Sequence, residues 1–145
     1  MIDLSPQSGL IEVKIKIVGE VTVVFNPTDL SFMERVFNTF DMLDTMQEKY
    51  GNAISDKNNY TEVFAIAKKT DADMRNAIDA VFEQAVCDTL YGSCNVFMLA
   101  EGLPSWANLM LSIVDLMDET FTREKKATNP RMQKYISKYS KRAGA

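Results

Sequence analysis

Two groups of carboxylates stand at helical spacing in this 145-residue chain: Asp41, Asp44 and Glu48, and Asp115, Asp118 and Glu119. Acids three and four residues apart share one helix face, where they could hold a divalent cation or share a proton. The plainer reading is a solvated face, because an ionised carboxylate taken out of water without a partner is costly. Nothing else in the sequence turns either group into a reaction centre. There is no Gly-x-x-x-x-Gly-Lys-Ser/Thr phosphate loop and no Gly-x-Gly-x-x-Gly turn. There is no histidine, which removes Ser-His-Asp and Cys-His nucleophiles, Cys₂His₂ zinc and the usual imidazole acid and base. Cys87 and Cys94 are spaced like no metal motif, and Cys87 lies beside Asp88 rather than beside a cation that would favour its thiolate. Both read as free thiols, with Cys87 a structural one on a helix. The chain therefore reads as a non-enzyme that needs no cofactor and no metal, and its work is expected to be binding.

Charge supplies one candidate for that binding. The net charge is −4, but residues 123–145 carry eight basic side chains against Glu124 alone, a net of +7, while the preceding residues carry −11. Arg131, Lys134, Lys138 and Lys141 recur at three- and four-residue steps, with Tyr135 and Tyr139 at neighbouring positions. Basic residues interleaved with aromatics can grip a phosphate backbone. They can equally dock on an acidic protein surface, including the acidic body of a second copy, or simply face solvent. Nucleic acid is thus one open partner, and self-association is another. Nine methionines supply a second candidate. Most fall on apolar helical stripes and read as core, but Met42 lies beside the stripe of its helix and is a possible surface contact.

The elements that must position these residues are legible from periodicity. Residues 1–10 hold Ser5, Pro6, Ser8 and Gly9 and read as a flexible lead-in. Ile11 to Ile17 alternates strictly, with Ile11, Val13, Ile15 and Ile17 inward and charged residues outward, and Val21 to Phe25 is a second strand. With Gly19-Glu20 as the turn, an N-terminal β-hairpin over 11–25 is predicted. Two strands alone are marginal in water, so the hairpin must pack on helices or add to another sheet.

After Asn26-Pro27, a helix is predicted over about 28–50, opened by Pro27 or Thr28 or by the Ser31-to-Glu34 capping box. Its stripe is Met33, Val36, Phe37, Phe40, Leu43, Met46 and Tyr50, and Gly51-Asn52 is expected to end it. A polar loop leads to helical sequence over about 60–91, where Thr70 to Asp73 is either a fresh cap or a polar patch within one longer helix. Asn95 to Ala100 reads as a turn or two of helix. The most apolar helix, over about 104–125, carries Trp106, Leu109, Met110, Ile113, Val114, Met117 and Phe121 and is the candidate central helix. Asn129-Pro130 opens a basic helix or tail over 126–145. The prediction is a mainly α protein with minor β: a hairpin packed on a bundle of about five helices, forming one globular domain over 11–125. No stretch has the ~18 apolar residues of a membrane span, and the first residues lack the charged and apolar regions of a signal peptide. No membrane partner and a cytoplasmic location are expected.

This layout resembles a known group of proteins. A short hairpin leads through Phe25-Asn26-Pro27-Thr28-Asp29 and Phe32-Met33-Glu34-Arg35 into a helix. Ile78-Asp79-Ala80-Val81-Phe82 runs on to Cys87-Asp88-Thr89-Leu90-Tyr91-Gly92, and Leu103-Pro104-Ser105-Trp106-Ala107-Asn108 restarts the chain. In order and size, residues 11–122 resemble the small tail assembly chaperones of long-tailed phages and prophages of Gram-positive bacteria. The resemblance implies a non-enzymatic job in the bacterial cytoplasm: covering the long, apolar, helical tape-measure protein until the tail tube forms around it. Helix-in-groove recognition by many copies along one partner would suit that task. A structural tail or head–tail connector protein and a nucleic-acid-binding regulator using the basic tail are the alternatives. No individual binding residue carries over from the resemblance.

Overall fold

A computed structural model describes residues 1–127, 130 and 131. Strand β1, Ile11–Lys16, pairs antiparallel with β2, Glu20–Phe25, in a register running from Ile11 opposite Phe25 to Lys16 opposite Glu20. The alternation works as predicted: Ile11, Val13 and Ile15 are half-buried and the charged residues between them are exposed. The turn, however, is Ile17-Val18-Gly19 rather than Gly19-Glu20, because that loop is fastened to a helix end. Val18 N and Gly19 N both donate to Leu90 O, at 2.9 and 3.0 Å. A Cβ on Gly19 would lie 2.1 Å from Thr89 O, so this approach of two backbones requires glycine.

Helix α1, Leu30–Ile54, begins later and ends later than predicted. Asn26 Oδ1 accepts from Thr28 N and Oγ1, both at 2.8 Å, which holds Thr28 in a turn. The cap falls on Asp29, whose Oδ1 accepts from Ser31 N at 3.0 Å. Gly51 does not stop the helix. A helical glycine costs about 1 kcal/mol relative to alanine, too little to end a helix whose preceding turns pack against its neighbour. The stripe is buried at Phe32, Val36 and Leu43, whereas Phe37 is turned out.

Helix α2, Tyr60–Phe82, is capped by Asn59 and runs straight through Thr70 to Asp73. The predicted continuation to residue 91 fails at Glu83, which adopts a left-handed conformation (φ 53°, ψ 36°). Asp79 explains the break, since its Oδ1 accepts from both Val86 N and Cys87 N at 2.9 Å. A carboxylate from the last turn of α2 thus caps the short helix α3, Cys87–Tyr91. Arg35 supports the same corner by donating to Val81 O at 3.2 Å and pairing with Glu83 at 3.5 Å.

The predicted helical turns at Asn95 to Ala100 are instead a turn followed by a second small hairpin. Strand β3, Leu99–Ala100, pairs antiparallel with β4, Leu103–Pro104. Its two turn residues, Glu101 and Gly102, both have positive φ (55° and 77°). That is the mirror-image turn favoured by the twist of a two-residue hairpin, and it places glycine where glycine is easiest. Six residues are too few to show a helical period, so the local turn chemistry decides. Helix α4, Ser105–Lys126, follows and ends close to the predicted 125.

The chain is mainly α with minor β. The core joins β2, the four helices α1 to α4, Val96 and Phe97, and α4 contributes Trp106, Leu109, Met110, Ile113 and Met117 to it. The rings of Phe25 and Phe32 stack at 4.2 Å between centroids, with Phe82 tilted beside them, tying the hairpin to α1 and α2. Pro130 and Arg131 are helical and exposed; the remainder of the predicted basic helix, with Lys134, Tyr135, Lys138 and Tyr139, lies outside the described residues.

Gly19→Ala is expected to lower stability by about 2–3 kcal/mol, the range for a forced backbone clash. Gly51→Ala, with nothing within 4 Å of its added methyl, is expected to raise stability by up to about 1 kcal/mol. Urea unfolding of both variants checks the pair, and equal effects would show that the turn does not need the close approach.

Candidate binding groove

An apolar groove of about 530 Å³ lies between β1 and the first half of α4, closed at one end by the β3–β4 hairpin. Leu109, Ile113 and Phe25 form its buried floor, and the half-buried Val13, Ile15, Ile17 and Leu116 its sides. Leu99, Lys14, Lys16 and Glu101 stand on the rim with Met98, Asn108 and Ser112. Among the described residues β1 is paired with β2 alone, so the backbone groups along its other edge are available for a further strand.

The groove wall is positioned by a polar cluster at its back. Asp71 and Arg75 are one turn apart on α2, with side chains only 12% and 14% exposed, and Arg75 Nε lies 2.9 Å from Asp71 Oδ2. The guanidinium also donates to Gly92 O at 3.2 Å and to Cys94 O, pairs with Asp88 at 3.2 Å and sits over the Tyr91 ring at 5.6 Å. Asp71 Oδ1 accepts from Val96 N at 2.8 Å. Together the two side chains fix the backbone from 92 to 96. That backbone in turn starts α4, whose first turn has no side-chain cap. Trp106 N donates to Val96 O at 3.1 Å and Ser105 N to Met98 O at 2.8 Å, which satisfies orphan amides of the helix start. Asn108 Nδ2 then donates to Ala100 O at 2.9 Å and to Leu103 O at 3.4 Å, clamping the small hairpin to α4.

Two titratable groups on α3 are buried rather than reactive. Burial, reinforced by the neighbouring Asp79 carboxylate, pushes the Cys87 thiol far up, so it stays protonated. Burial pushes the Tyr91 phenol up to about 12, an effect opposed by its hydrogen bond with Ser105 Oγ at 3.2 Å. Neither cysteine is in a disulfide, and Cys94 is half-exposed. The six acids of the two sequence clusters are all exposed. Among the described residues, no three Asp, Glu, Cys or His side chains converge as a metal site, and no helix is long and apolar enough to cross a membrane.

Of the residues proposed from sequence for partner binding, Met42 is 49% exposed on α1, as its place beside the stripe implies, but it does not line the groove. Arg131 is exposed at the start of the basic segment and far along the chain from the groove residues. Sequence reasoning did not find Asp71 and Arg75. A signal was present, because Asp71, Met74, Ile78 and Val81 form one buried stripe, and an aspartate in such a stripe needs a cation one turn away. The groove itself has no sequence signature, since its two walls are some 90 residues apart in the chain.

No protein-family model, curated protein or solved structure matches the chain. What fold and groove define is a class: a mainly α chain that holds an N-terminal hairpin against its last described long helix and leaves an apolar groove beside an open strand edge.

Tyr91 gives the pH prediction. Its folded pKa lies above the usual value near 10, so its contribution is complete below pH ~10 and is lost as pH rises from there toward 12. Wild-type stability is expected to fall by about 2 kcal/mol more than that of Tyr91→Phe across this window. Parallel curves from denaturant unfolding would contradict the buried neutral phenol.

Proposed function

We propose that this protein is a non-enzymatic binding protein of phage tail morphogenesis, a tail assembly chaperone whose groove between β1 and α4 takes an apolar segment of the tape-measure protein. The single observation that carries the binding reading is the groove itself. It has a floor of Leu109, Ile113 and Phe25 and a rim of serine, asparagine and lysine, which is the composition of a site for an amphipathic segment. The resemblance over residues 11–122 supplies the tail-assembly context, and the absence of histidine and of a phosphate loop supports a role without catalysis. A tape-measure chain presents repeated apolar stripes, and many copies engaging it through modest contacts would keep it soluble.

A second reading is a structural tail or connector component. It is favoured by the open edge of β1, which a neighbour's strand could extend. Its presence in purified mature particles would separate it from a chaperone, which leaves before maturation. The nucleic-acid reading rests on the basic tail, outside the described residues apart from its first turn.

Co-expression with the tape-measure protein of the same phage or prophage is expected to keep that partner soluble and to yield a co-purifying complex. Ser112→Arg, which places a long cation on the groove rim, is expected to reduce recovery of the complex at least tenfold, about 1.4 kcal/mol. An insoluble partner with wild-type protein, or undiminished binding by the arginine variant, would reject the reading.

A further inference from the structure

Residues 1–10 form no helix or strand, yet they carry apolar side chains that stand exposed. Ile2 is 89% exposed and Leu4 85%. Their spacing of two is that of one strand face, with Asp3 on the other. Pro6 limits any such strand to the residues before it, because it cannot donate to a ladder. Residues 1–5 extended span roughly 17 Å, close to the length of the six-residue β1.

The segment cannot easily reach the groove of its own chain. It leaves β1 at Ile11, beside Asn26, whose Nδ2 donates to Ser8 O at 3.0 Å. There residues 7–11 face the last turns of α4, at Thr120 to Lys125. The groove lies at the other end, against Ser105 to Leu116. Entering it in cis would mean reversing the chain at Ser8 to Leu10 and breaking the Asn26 bond.

We propose that the arm, residues 1–5, adds as a strand to the open edge of β1 in a second copy, with Ile2 and Leu4 filling that copy's groove. Charge fits this occupant. A strand placing Ile2 and Leu4 on the face of Val13 and Ile15 puts Asp3 on the face of Lys14 and Lys16, an opposite-charge arrangement across neighbouring strands. The contact is heterologous, arm to groove, so it can pass from copy to copy in a chain. It rests on the proposed binding role of the groove and adds its regulation: the arm covers the apolar floor until a tighter-binding segment displaces it, so free protein associates with itself and partner-bound protein releases the arms.

The test is complementation, read by sedimentation of full-length protein across the micromolar to millimolar range. Wild type is expected to gain mass with concentration. Ile2→Asp/Leu4→Asp, with a spoiled arm and an intact groove, and Ser112→Arg, with an intact arm and a blocked groove, are each expected to remain monomeric. Mixed one to one, they are expected to form a heterodimer, because one intact arm meets one intact groove. Circular dichroism confirms that both fold. Wild type that stays monomeric throughout, an arm variant that associates like wild type, or a mixture that fails to associate would each overturn the proposal. Failure of wild type to bind the tape-measure protein would reject the groove's assigned partner and leave this self-association result standing. If both hold, the arm variant binds that partner at least as tightly as wild type.

Discussion

The buried pair of Asp71 and Arg75 is the constraint on which the shape of this molecule depends. Two charges out of water are costly unless their remaining hydrogen-bonding capacity is used. Here that capacity is spent on backbone. Asp71 takes the amide of Val96, and Arg75 takes the carbonyls of Gly92 and Cys94. The segment so fixed turns its own carbonyls of Val96 and Met98 to the start of α4. A pair on α2 therefore places the wall of a groove that it does not touch.

The other side of the groove is placed as economically. Among the described residues the hairpin gains no third strand, and it is held at its turn by Leu90 O and at its far end by the Phe25, Phe32 and Phe82 rings. Both anchor points belong to the α2–α3 corner or adjoin it. The left-handed Glu83 and the capping Asp79 set that corner. The hairpin and α4 thus share a frame without closing on each other, and the space between them is the groove.

Much of this was legible in the sequence, for reasons tied to particular residues. Ile11 to Ile17 alternates because one face packs and one does not, and the stripe of α4 is long enough for its period to be unambiguous. Structure departs from periodicity where a single side chain overrides it. Asp79 ends a helix whose apolar pattern continues, and Glu101-Gly102 makes a hairpin from a segment too short to show any period. Gly51 is the opposite case, a local stop signal overruled by the packing of the helix around it. The groove has no mark in the sequence because it is a juxtaposition of distant segments, whereas Asp71 carries one in its place on a buried stripe. Met42, a candidate surface contact from its place beside the stripe, is exposed, yet it does not line the groove.

The dependence of the groove on the buried pair is tested most directly by amide hydrogen exchange in Arg75→Met. The account predicts that protection falls by at least tenfold at Val96, Met98 and the first turn of α4, while the β1–β2 ladder and the middle of α1 keep theirs. Loss of protection spread evenly over the whole chain, or none at residues 96–106, would contradict it.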